Sequence, residues 1–401
     1  MRPFTSTISI DEARAIIAAG TPHIERRERV PLLHASGRVL ASDIVAAADV
    51  PPFDRASMDG YAVIAADAAA ATREQPRAVR LAGQVYTGDI PAVRVEPGTA
   101  VEVATGAPMP DGADAVIMVE ETALDGDRVS LFAPVRSGQN IGPRGADISV
   151  GQLVLRAGEV LNPSRIGALA ALGYADAETW ARPSVAVLST GNEIAPQGAP
   201  LPPGHIYDIN RFTISTVVTE HGGVAVPIST ARDTLEALHA ALDECLRHDV
   251  IVFSGGSSVG ERDLILDVIR DRGEVKFHGI AVKPGKPTLF GHVQGRPVFG
   301  MPGYPTSCLS NAYILLVPAL RRMARLPLTA PRTLLLPLAA RITSVHGRHQ
   351  FYTVRVESGQ AVPAFKASGD ITSMSRADGY IEIPAEVTEV VPGTAVTVTL
   401  F

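Results

Sequence analysis

A glycine-rich segment from Ser254 to Gly260 follows an apolar run and precedes a helical pattern. Glycines let backbone amides approach a ligand, and the N-terminus of the following helix adds a partial positive charge. The segment has neither the Gly-Lys-Ser/Thr ending of a Walker loop nor the spacing of a dinucleotide fingerprint. It predicts a phosphate site, with an ordinary strand-to-helix turn as the alternative. The candidate anion-binding residues are Ser254, Gly255, Gly256, Ser258 and Gly260.

Three acidic residues occur where strands are expected to end or helices to begin. Glu193 follows the apolar run Val185–Leu188, Asp233 follows the next predicted strand, and Asp263 opens the helix after the glycine-rich segment. In an open α/β sheet the carboxyl ends of the strands line the ligand crevice, so the three carboxylates are expected to converge. Helix capping is the better interpretation for Asp233 or Asp263 alone. The trio beside a phosphate favours a Mg²⁺ site.

Lysine is rare in this chain. Of the 36 basic residues four are lysines, and two of them lie three positions apart in Lys283-Pro-Gly-Lys286, which we expect in a loop between strands. Compact ammonium groups suit an oxyanion ligand, whereas chance on a surface turn is the alternative. The turn that contains Pro302 and Pro305 precedes a long apolar helix and offers a second rigid loop, or simple helix initiation.

These residues require a scaffold of several domains. A capping box at Ser9–Glu12 predicts an N-terminal helix, and Pro163 suits the first turn of a helix over Asn162–Leu172. Strands alternate with helices after Pro183, which predicts a three-layer α/β sandwich within an α/β multidomain fold. The expected domains are a discontinuous helical linking subdomain (5–45 and 149–181), a β-rich subdomain (46–148), the α/β domain (182–327) and a C-terminal β-barrel-like domain (328–401).

The composition narrows the class of protein. With 401 residues, 46% of them apolar, the chain can bury several cores. A net charge of −6 argues against broad nucleic-acid binding, because that function needs a basic face. The two cysteines cannot form a disulfide framework, and Cys245 falls on a core stripe. No signal-peptide core and no membrane-length apolar run occurs, so we expect a cytoplasmic protein with no membrane partner.

The ordered motifs resemble those of the molybdopterin molybdenumtransferase family, which includes the E domain of gephyrin and its plant counterpart. They are SMDGYAV, TGAP, STGNE, SGGSSVGERD, KPGKP and a Pro-Gly-x-Pro turn, and they span essentially the whole chain. The resemblance implies insertion of molybdenum from molybdate into the dithiolene of adenylylated molybdopterin, with release of AMP and dependence on Mg²⁺. It also implies an elongated homodimer whose active cleft combines the α/β domain of one subunit with the β-rich domain of the other. Contact with the adenylylating enzyme is a further possible association.

The resemblance assigns roles to individual residues. It implies catalytic roles for Asp59, Glu193, Asp233 and Asp263, the last three also as metal ligands. Asp59, Thr105 and Asp147 would reach the site from the partner subunit. The full set of expected substrate-binding residues is Thr105, Asp147, Thr190, Gly191, Ser254, Gly255, Gly256, Ser258, Gly260, Lys283, Lys286, Pro302, Pro305, Ser373 and Ser375.

Two positions depart from the family pattern. Thr353 occupies the place where members often carry the arginine of a Phe-x-Arg pattern, so Arg348 or Arg376 would have to supply the charge. His278-Gly279 stands where some members carry a lysine. The choice between molybdate and tungstate therefore stays open.

Two other functions compete with the transferase. A pterin-cofactor carrier or scaffold would keep the fold and bind ligand without turnover, but the acid set Glu193, Asp233 and Asp263 argues against loss of catalysis. The related adenylyltransferase shares the glycine-loop domain, but the additional β-rich domains and the length of this chain argue against it.

Overall fold

The computed structural model describes residues 7–255, 264–328 and 331–401. The contacts divide the chain into two compact units. The larger unit comprises the N-terminal residues up to Glu28 together with Gly37–Val39 and Thr179–Phe401. The smaller unit comprises Arg29–Ser36 and Leu40–Glu178.

The first part of the chain contains the N-terminal helix and the elements of the smaller unit. Ser9 caps the first helix, because its Oγ accepts a 3.1 Å hydrogen bond from the Glu12 amide, which confirms the predicted capping box. The elements are α1 (Ile10–Gly20), β1 (Arg27–Pro31), β2 (Ile44–Val45), β3 (Arg55–Ala56), β4 (Gly60–Val63), α2 (Ala65–Ala68), β5 (Arg77–Val85), β6 (Thr99–Val103), β7 (Ala115–Met118), β8 (Thr122–Asp125), β9 (Arg128–Leu131), β10 (Ile141–Gly142), β11 (Leu153–Leu155), α3 (Pro163–Ala171) and β12 (Asp176–Trp180).

The smaller unit is built around a mixed sheet with the strand order β7-β4-β6-β5-β9-β8. Successive residues of β4 alternate between two cores, since Tyr61 and Val63 pack in one cluster and Ala62 packs in the other. This period of two places the sheet between two apolar layers. Pro163 lies in the first turn of α3, as the sequence predicted, and Asn162 caps that helix.

The remaining elements belong to the larger unit. They are β13 (Ser184–Ser189), β14 (Ile194–Ala195), β15 (Ile206–Tyr207), α4 (Asn210–Glu220), β16 (Val224–Pro227), α5 (Leu235–Cys245), β17 (Val250–Ser254), α6 (Leu264–Arg272), β18 (Gly273–His278), β19 (Val282–Lys283), β20 (Leu289–Val293), β21 (Arg296–Met301), α7 (Pro305–Asn311), a π-helical segment (Ala312–Leu316), α8 (Val317–Met323), β22 (Thr333–Pro337), β23 (Ile342–Thr343), β24 (His349–Glu357), β25 (Gln360–Pro363), α9 (Thr372–Ser375), β26 (Gly379–Ile383), β27 (Glu389–Val390) and β28 (Ala395–Leu400).

The α/β part of the larger unit is a three-layer sandwich, which confirms the predicted fold. Its sheet has the order β16-β13-β17-β21-β20-β18, parallel from β16 to β21 and antiparallel at β20 and β18. Val185 and Val187 pack in the core on one face with α1, α4, α7 and α8, whereas Ala186 and Leu188 pack on the other face with α5 and α6. Cys245 is fully buried in the second core, as its position on the α5 stripe predicted.

A second sheet of the larger unit has the order β19-β24-β26-β28-β22, with β25 beside β24. The first of these strands corrects one expectation: Lys283 does not lie in a loop of the α/β sheet but on β19, opposite Gln350 of β24. The parallel pairing of β19 with β24 recruits this short segment into the C-terminal sheet. Within the part of the chain that the structure describes, every helix is too short or too polar to span a lipid bilayer.

Candidate functional site

Three loops meet at the carboxyl ends of β13, β17 and β21. The Thr190 amide donates a 2.8 Å hydrogen bond to the Ser254 carbonyl, and the Gly255 amide donates a 3.4 Å bond to the Met301 carbonyl. Gly255 has φ +102°, and a Cβ at this position would lie 2.3 Å from the Thr190 carbonyl oxygen. A side chain is therefore excluded, which leaves backbone groups at the edge of the sheet. Gly256, Ser258 and Gly260 lie outside the described residues.

The acidic residues Glu193 and Asp233 lie together at the same edge. The Asp233 amide donates a 3.3 Å hydrogen bond to Asn192 Oδ1, and the neighbouring Gly191 amide donates a 3.4 Å bond to the Ala231 carbonyl. Burial and the negative charge of Glu193 raise the pKa of Asp233. Thr234 caps α5, so the structure removes the capping alternative for Asp233. Asp263 lies outside the described residues.

The pair Glu193 and Asp233 fits a divalent cation. Asp233 Oδ1 is buried and has no hydrogen-bond partner within the part of the chain that the structure describes. Two close carboxylates, one of them incompletely hydrogen-bonded, repel each other until a cation or a proton neutralises them. Within residues 7–255, 264–328 and 331–401 no group of three or more acidic, histidine or cysteine residues forms a complete metal cluster.

Asp208 and Asn210 also lie at this edge, and the sequence interpretation missed both. The buried Asp208 Oδ1 accepts hydrogen bonds from Ser189 Oγ at 2.9 Å and from the Arg211 amide at 3.1 Å. Asn210 Nδ2 donates a 2.8 Å bond to the Gly303 carbonyl. They therefore tie the start of α4 to the ends of β13 and β21. An Asp-x-Asn sequence directly before a helical pattern was the available signal.

The turn before α7 connects the α/β sandwich to the C-terminal sheet. Pro302 is buried and Pro305 occupies the first turn of α7. Thr306 donates to the C-terminal loop twice, through its amide to the Ser368 carbonyl at 3.1 Å and through Oγ1 to the Asp370 carbonyl at 2.9 Å. The contact brings the loop that leads into α9 against this turn.

Two predicted substrate contacts, Ser373 and Ser375, lie on α9. Ser373 is fully buried, and its Oγ accepts a 3.0 Å hydrogen bond from the Lys366 amide. Ser375 is exposed. Lys283, at the end of β19, and Lys286, on the segment that joins β19 to β20, are both half-buried. Ser375 is therefore the most exposed of these four residues, whereas the two lysines are partly exposed and Ser373 is buried.

Thr353 points into the interior of the C-terminal sheet. It is 2% exposed, and its Oγ1 has no hydrogen-bond partner among the described residues. It lines a small cavity together with Ser310, Phe351 and Tyr380. The position therefore holds a small side chain within a packed core, and Arg376, which follows α9, is exposed.

In the smaller unit the structure brings Asp59 and Thr105 together. Asp59 Oδ1 accepts hydrogen bonds from the Thr105 amide at 2.6 Å and from the Thr105 hydroxyl at 3.0 Å. These bonds lower the pKa of Asp59, so its exposed side chain is a carboxylate at neutral pH. The Thr105 carbonyl in turn accepts a 3.1 Å bond from Thr87 Oγ1, which fixes the loop.

Asp147 lies in a neighbouring loop of the same unit. Its amide donates a 3.0 Å hydrogen bond to the Val50 carbonyl, and the Gly145 amide donates a 2.9 Å bond to the Pro51 carbonyl. Asp147 is exposed, and its loop is anchored to the segment that leads to Asp59. The three predicted residues Asp59, Thr105 and Asp147 thus belong to one unit.

Three family models together match most of the chain. The MoeA N-terminal region (domain I and II) matches residues 8–173, and a probable molybdopterin binding domain matches residues 186–322. The MoeA C-terminal region (domain IV) matches residues 336–401. The motifs quoted from the sequence all fall within the first two of these matches.

Curated relatives and a solved structure resemble the chain over most of its length. It is 35% identical to "Molybdopterin molybdenumtransferase 2" of Mycobacterium tuberculosis, over 92% of this chain and 94% of the relative. It is also 35% identical to the molybdopterin molybdenumtransferase of Haemophilus influenzae, over 79% of this chain and 78% of the relative. A crystal structure of a molybdopterin biosynthesis moeA protein from Pyrococcus horikoshii aligns with a TM-score of 0.84 and 39% identity, covering 98% of this chain and 99% of that one.

Proposed function

This chain belongs to the molybdopterin molybdenumtransferase family, and from that premise we propose its reaction in molybdenum cofactor biosynthesis. The protein inserts molybdenum from molybdate into the dithiolene of adenylylated molybdopterin and releases AMP, with Mg²⁺ as the required cation. The observation that carries the proposal is the pairing of Glu193 with the incompletely hydrogen-bonded Asp233 beside the loops of β13 and β17.

The backbone edge formed by Thr190, Gly191, Ser254 and Gly255 binds the phosphate end of the pterin substrate. Gly255 excludes a side chain at this edge, and the edge is the carboxyl end of parallel strands, where an open α/β sheet binds its ligands. The segment from Gly256 to Gly260 supplies the backbone amides for the phosphate in this proposal. Asn210 and Asp208 keep this edge rigid through their bonds to Gly303 and Ser189.

Glu193 and Asp233, with Asp263, hold Mg²⁺ in this proposal. The raised pKa of Asp233 supports it, because a carboxyl group that is costly to ionise beside Glu193 gains from a bound cation. Mg²⁺ bound there would neutralise charge on the phosphoanhydride while that bond is cleaved. The carboxylates also orient the phosphate groups against the amides of the glycine-rich segment.

Lys283 and Lys286 bind the oxyanion. Both are half-buried, so their charges are screened less than exposed charges would be. The turn Pro302–Pro305 and the exposed Ser375 complete the wall of this site. Ser373 contributes by holding the Lys366 amide rather than by an exposed hydroxyl.

The active form is a homodimer in this proposal, and Asp59, Thr105 and Asp147 complete the site of the partner subunit. The lowered pKa of Asp59 supports a carboxylate that stays charged and accepts a hydrogen bond from the substrate. The enzyme acts in the cytoplasm and can receive its substrate from the adenylylating enzyme.

Reconstitution of a molybdoenzyme tests the function. The protein is incubated with adenylylated molybdopterin, molybdate, Mg²⁺ and a cofactor-free molybdoenzyme, and we expect molybdate-dependent activity of that enzyme. Pterin binding without any activation would identify a carrier instead. A reaction without added Mg²⁺ and with a chelator is the control for the metal.

Mixing two inactive variants tests the cross-subunit site. Asp59→Asn and Lys286→Ala homodimers are expected to be inactive alone, but subunit exchange gives heterodimers with one intact site. With random exchange at equal concentrations, activity recovers to about a quarter of the wild-type value. Absence of recovery, with exchange shown by mass spectrometry, would contradict the cross-subunit arrangement and leave the reaction untouched.

A further inference from the structure

The segment from Lys283 to Thr288, called the lysine segment below, is held by a buried asparagine to which the family resemblance gave no role. Asn311, the last residue of α7, is fully buried. Its Nδ2 donates hydrogen bonds to the Gly285 carbonyl at 2.9 Å and to Thr288 Oγ1 at 2.6 Å. Thr288 Oγ1 donates to the same Gly285 carbonyl at 2.8 Å. The three groups form a closed network under the segment that carries Lys283 and Lys286.

The network fits this segment closely. Gly285 has φ +101°, and a Cβ there would lie 2.3 Å from Asn311 Nδ2 and 2.7 Å from Oδ1. The Asn311 amide plane therefore lies directly against the backbone between the two lysines. From the other side, β24 holds Lys283 through its pairing with Gln350. The backbone from which both lysine side chains extend is thus fixed at both ends.

The side-chain oxygen of Asn311 lacks a hydrogen-bond partner among the described residues, which indicates that this residue has a role beyond stabilising the fold. This oxygen, Oδ1, is also buried. A buried acceptor without a partner lowers stability, so an apolar residue would serve the core better. Such a locally costly choice is typical of a functional position.

We propose that Asn311 is a positioning residue that sets the geometry of Lys283 and Lys286 for the molybdenum oxyanion. The inference rests on the proposed function, because it assumes that these lysines bind the oxyanion. Asn311 is fully buried, so it acts on the lysines through Gly285 and Thr288. Asn311 therefore influences the binding of the oxyanion selectively, because its hydrogen bonds go to the lysine segment and not to the acidic pair Glu193 and Asp233.

Steady-state kinetics with Asn311→Leu test this proposal. Leucine keeps the branched shape but makes no hydrogen bond. Because the variant loses both hydrogen bonds of Asn311, we expect the KM for molybdate to rise about tenfold. The KM for adenylylated molybdopterin should stay within about twofold of the wild-type value. Ser310→Ala is the matched control, because Ser310 is also buried on α7 but contacts Met374 instead of the lysine segment. Equal changes in both KM values, or a molybdate KM within about twofold of wild type, would overturn the proposal.

Thr288 supplies a second, milder variant in case Asn311→Leu does not fold. Thr288→Val removes the hydroxyl from the network and should raise the molybdate KM about threefold, whereas Thr288→Ser keeps the hydroxyl and should restore it. Equal KM values for the Val and Ser variants would overturn the proposal. Equilibrium dialysis with molybdate distinguishes failure of the proposed function from failure of the role of Asn311. No binding of molybdate by the wild-type protein would overturn both. Equal binding by the wild-type protein and Asn311→Leu would overturn only the role of Asn311.

Discussion

Asp59 Oδ1 accepts two hydrogen bonds from Thr105, a 2.6 Å bond from the amide and a 3.0 Å bond from the hydroxyl. These bonds lower the pKa of Asp59, and they fix an exposed carboxylate in one orientation. Both hydrogen bonds to Asp59 come from one loop, and Thr87 anchors that loop. Such preorganisation is more typical of a functional carboxylate than of an ordinary surface residue.

Asp59→Asn should therefore bind the substrate and turn over poorly. An amide keeps the size of the side chain but does not carry its negative charge, so kcat should fall about a hundredfold or more. The Kd for adenylylated molybdopterin should change less than about twofold. Asp67→Asn is the matched control, since Asp67 accepts a 2.8 Å bond from the Gly98 amide in the same unit. Equal losses of kcat in both variants would contradict a specific role for Asp59.

The acidic pair predicts a change in metal dependence. Asp233→Asn removes one of two close carboxylates, so the Mg²⁺ concentration for half-maximal AMP release should rise at least about tenfold. Glu236→Gln provides the control, because Glu236 lies on the first turn of α5 and is exposed. An unchanged Mg²⁺ requirement in Asp233→Asn would remove Asp233 from the metal site.

The buried Thr353 predicts that an arginine cannot be introduced at this position. Thr353→Arg would place a guanidinium among Phe351, Tyr380 and Ser310, and should lower the free energy of unfolding by about 3–5 kcal/mol. Thr353→Val should change it by less than about 1 kcal/mol, because the hydroxyl makes no hydrogen bond within the described residues. Urea denaturation measures both. A folded, fully stable Thr353→Arg protein would contradict this packing.

His221 predicts a pH dependence of stability. Burial, followed by the charge of Arg321, lowers the pKa of His221 below its ordinary 6.5. The folded state therefore favours the neutral ring, so its contribution is complete above pH 6.5 and is lost as the pH falls through the lowered pKa. His221→Gln should show a smaller drop in the urea midpoint below pH 6.5 than wild type. Parallel curves for the two proteins would assign the acid sensitivity to other groups.

Local patterns in the sequence predicted the scaffold well. The alternation of strands and helices predicted the sandwich, the capping box at Ser9 marked the start of α1, and Pro163 marked the start of α3. Local patterns could not predict which strands pair when the strands are distant in sequence. Recruitment of Lys283 to the C-terminal sheet depends on the β19–β24 pairing, which joins residues 67 positions apart, from 283 to 350. Register over that separation leaves no local signal.

The candidate site was predicted in part for a similar reason. Glu193 and Asp233 could be grouped because strand ends share an edge, but the capping residue of α5 proved to be Thr234. Asp208, Asn210 and Asn311 act through hydrogen bonds to distant carbonyls or side chains, so residue type alone did not reveal them. An asparagine within the apolar run after Pro305 was the one visible hint for Asn311.

A single-turnover experiment tests the central claim most directly. Excess protein is mixed with adenylylated molybdopterin, molybdate and Mg²⁺, and AMP and pterin-bound molybdenum are quantified from the same samples. We predict that both appear together in equal amounts and that Asp233→Asn slows both. Absence of AMP, or release of AMP with no molybdenum on the pterin, would contradict the account.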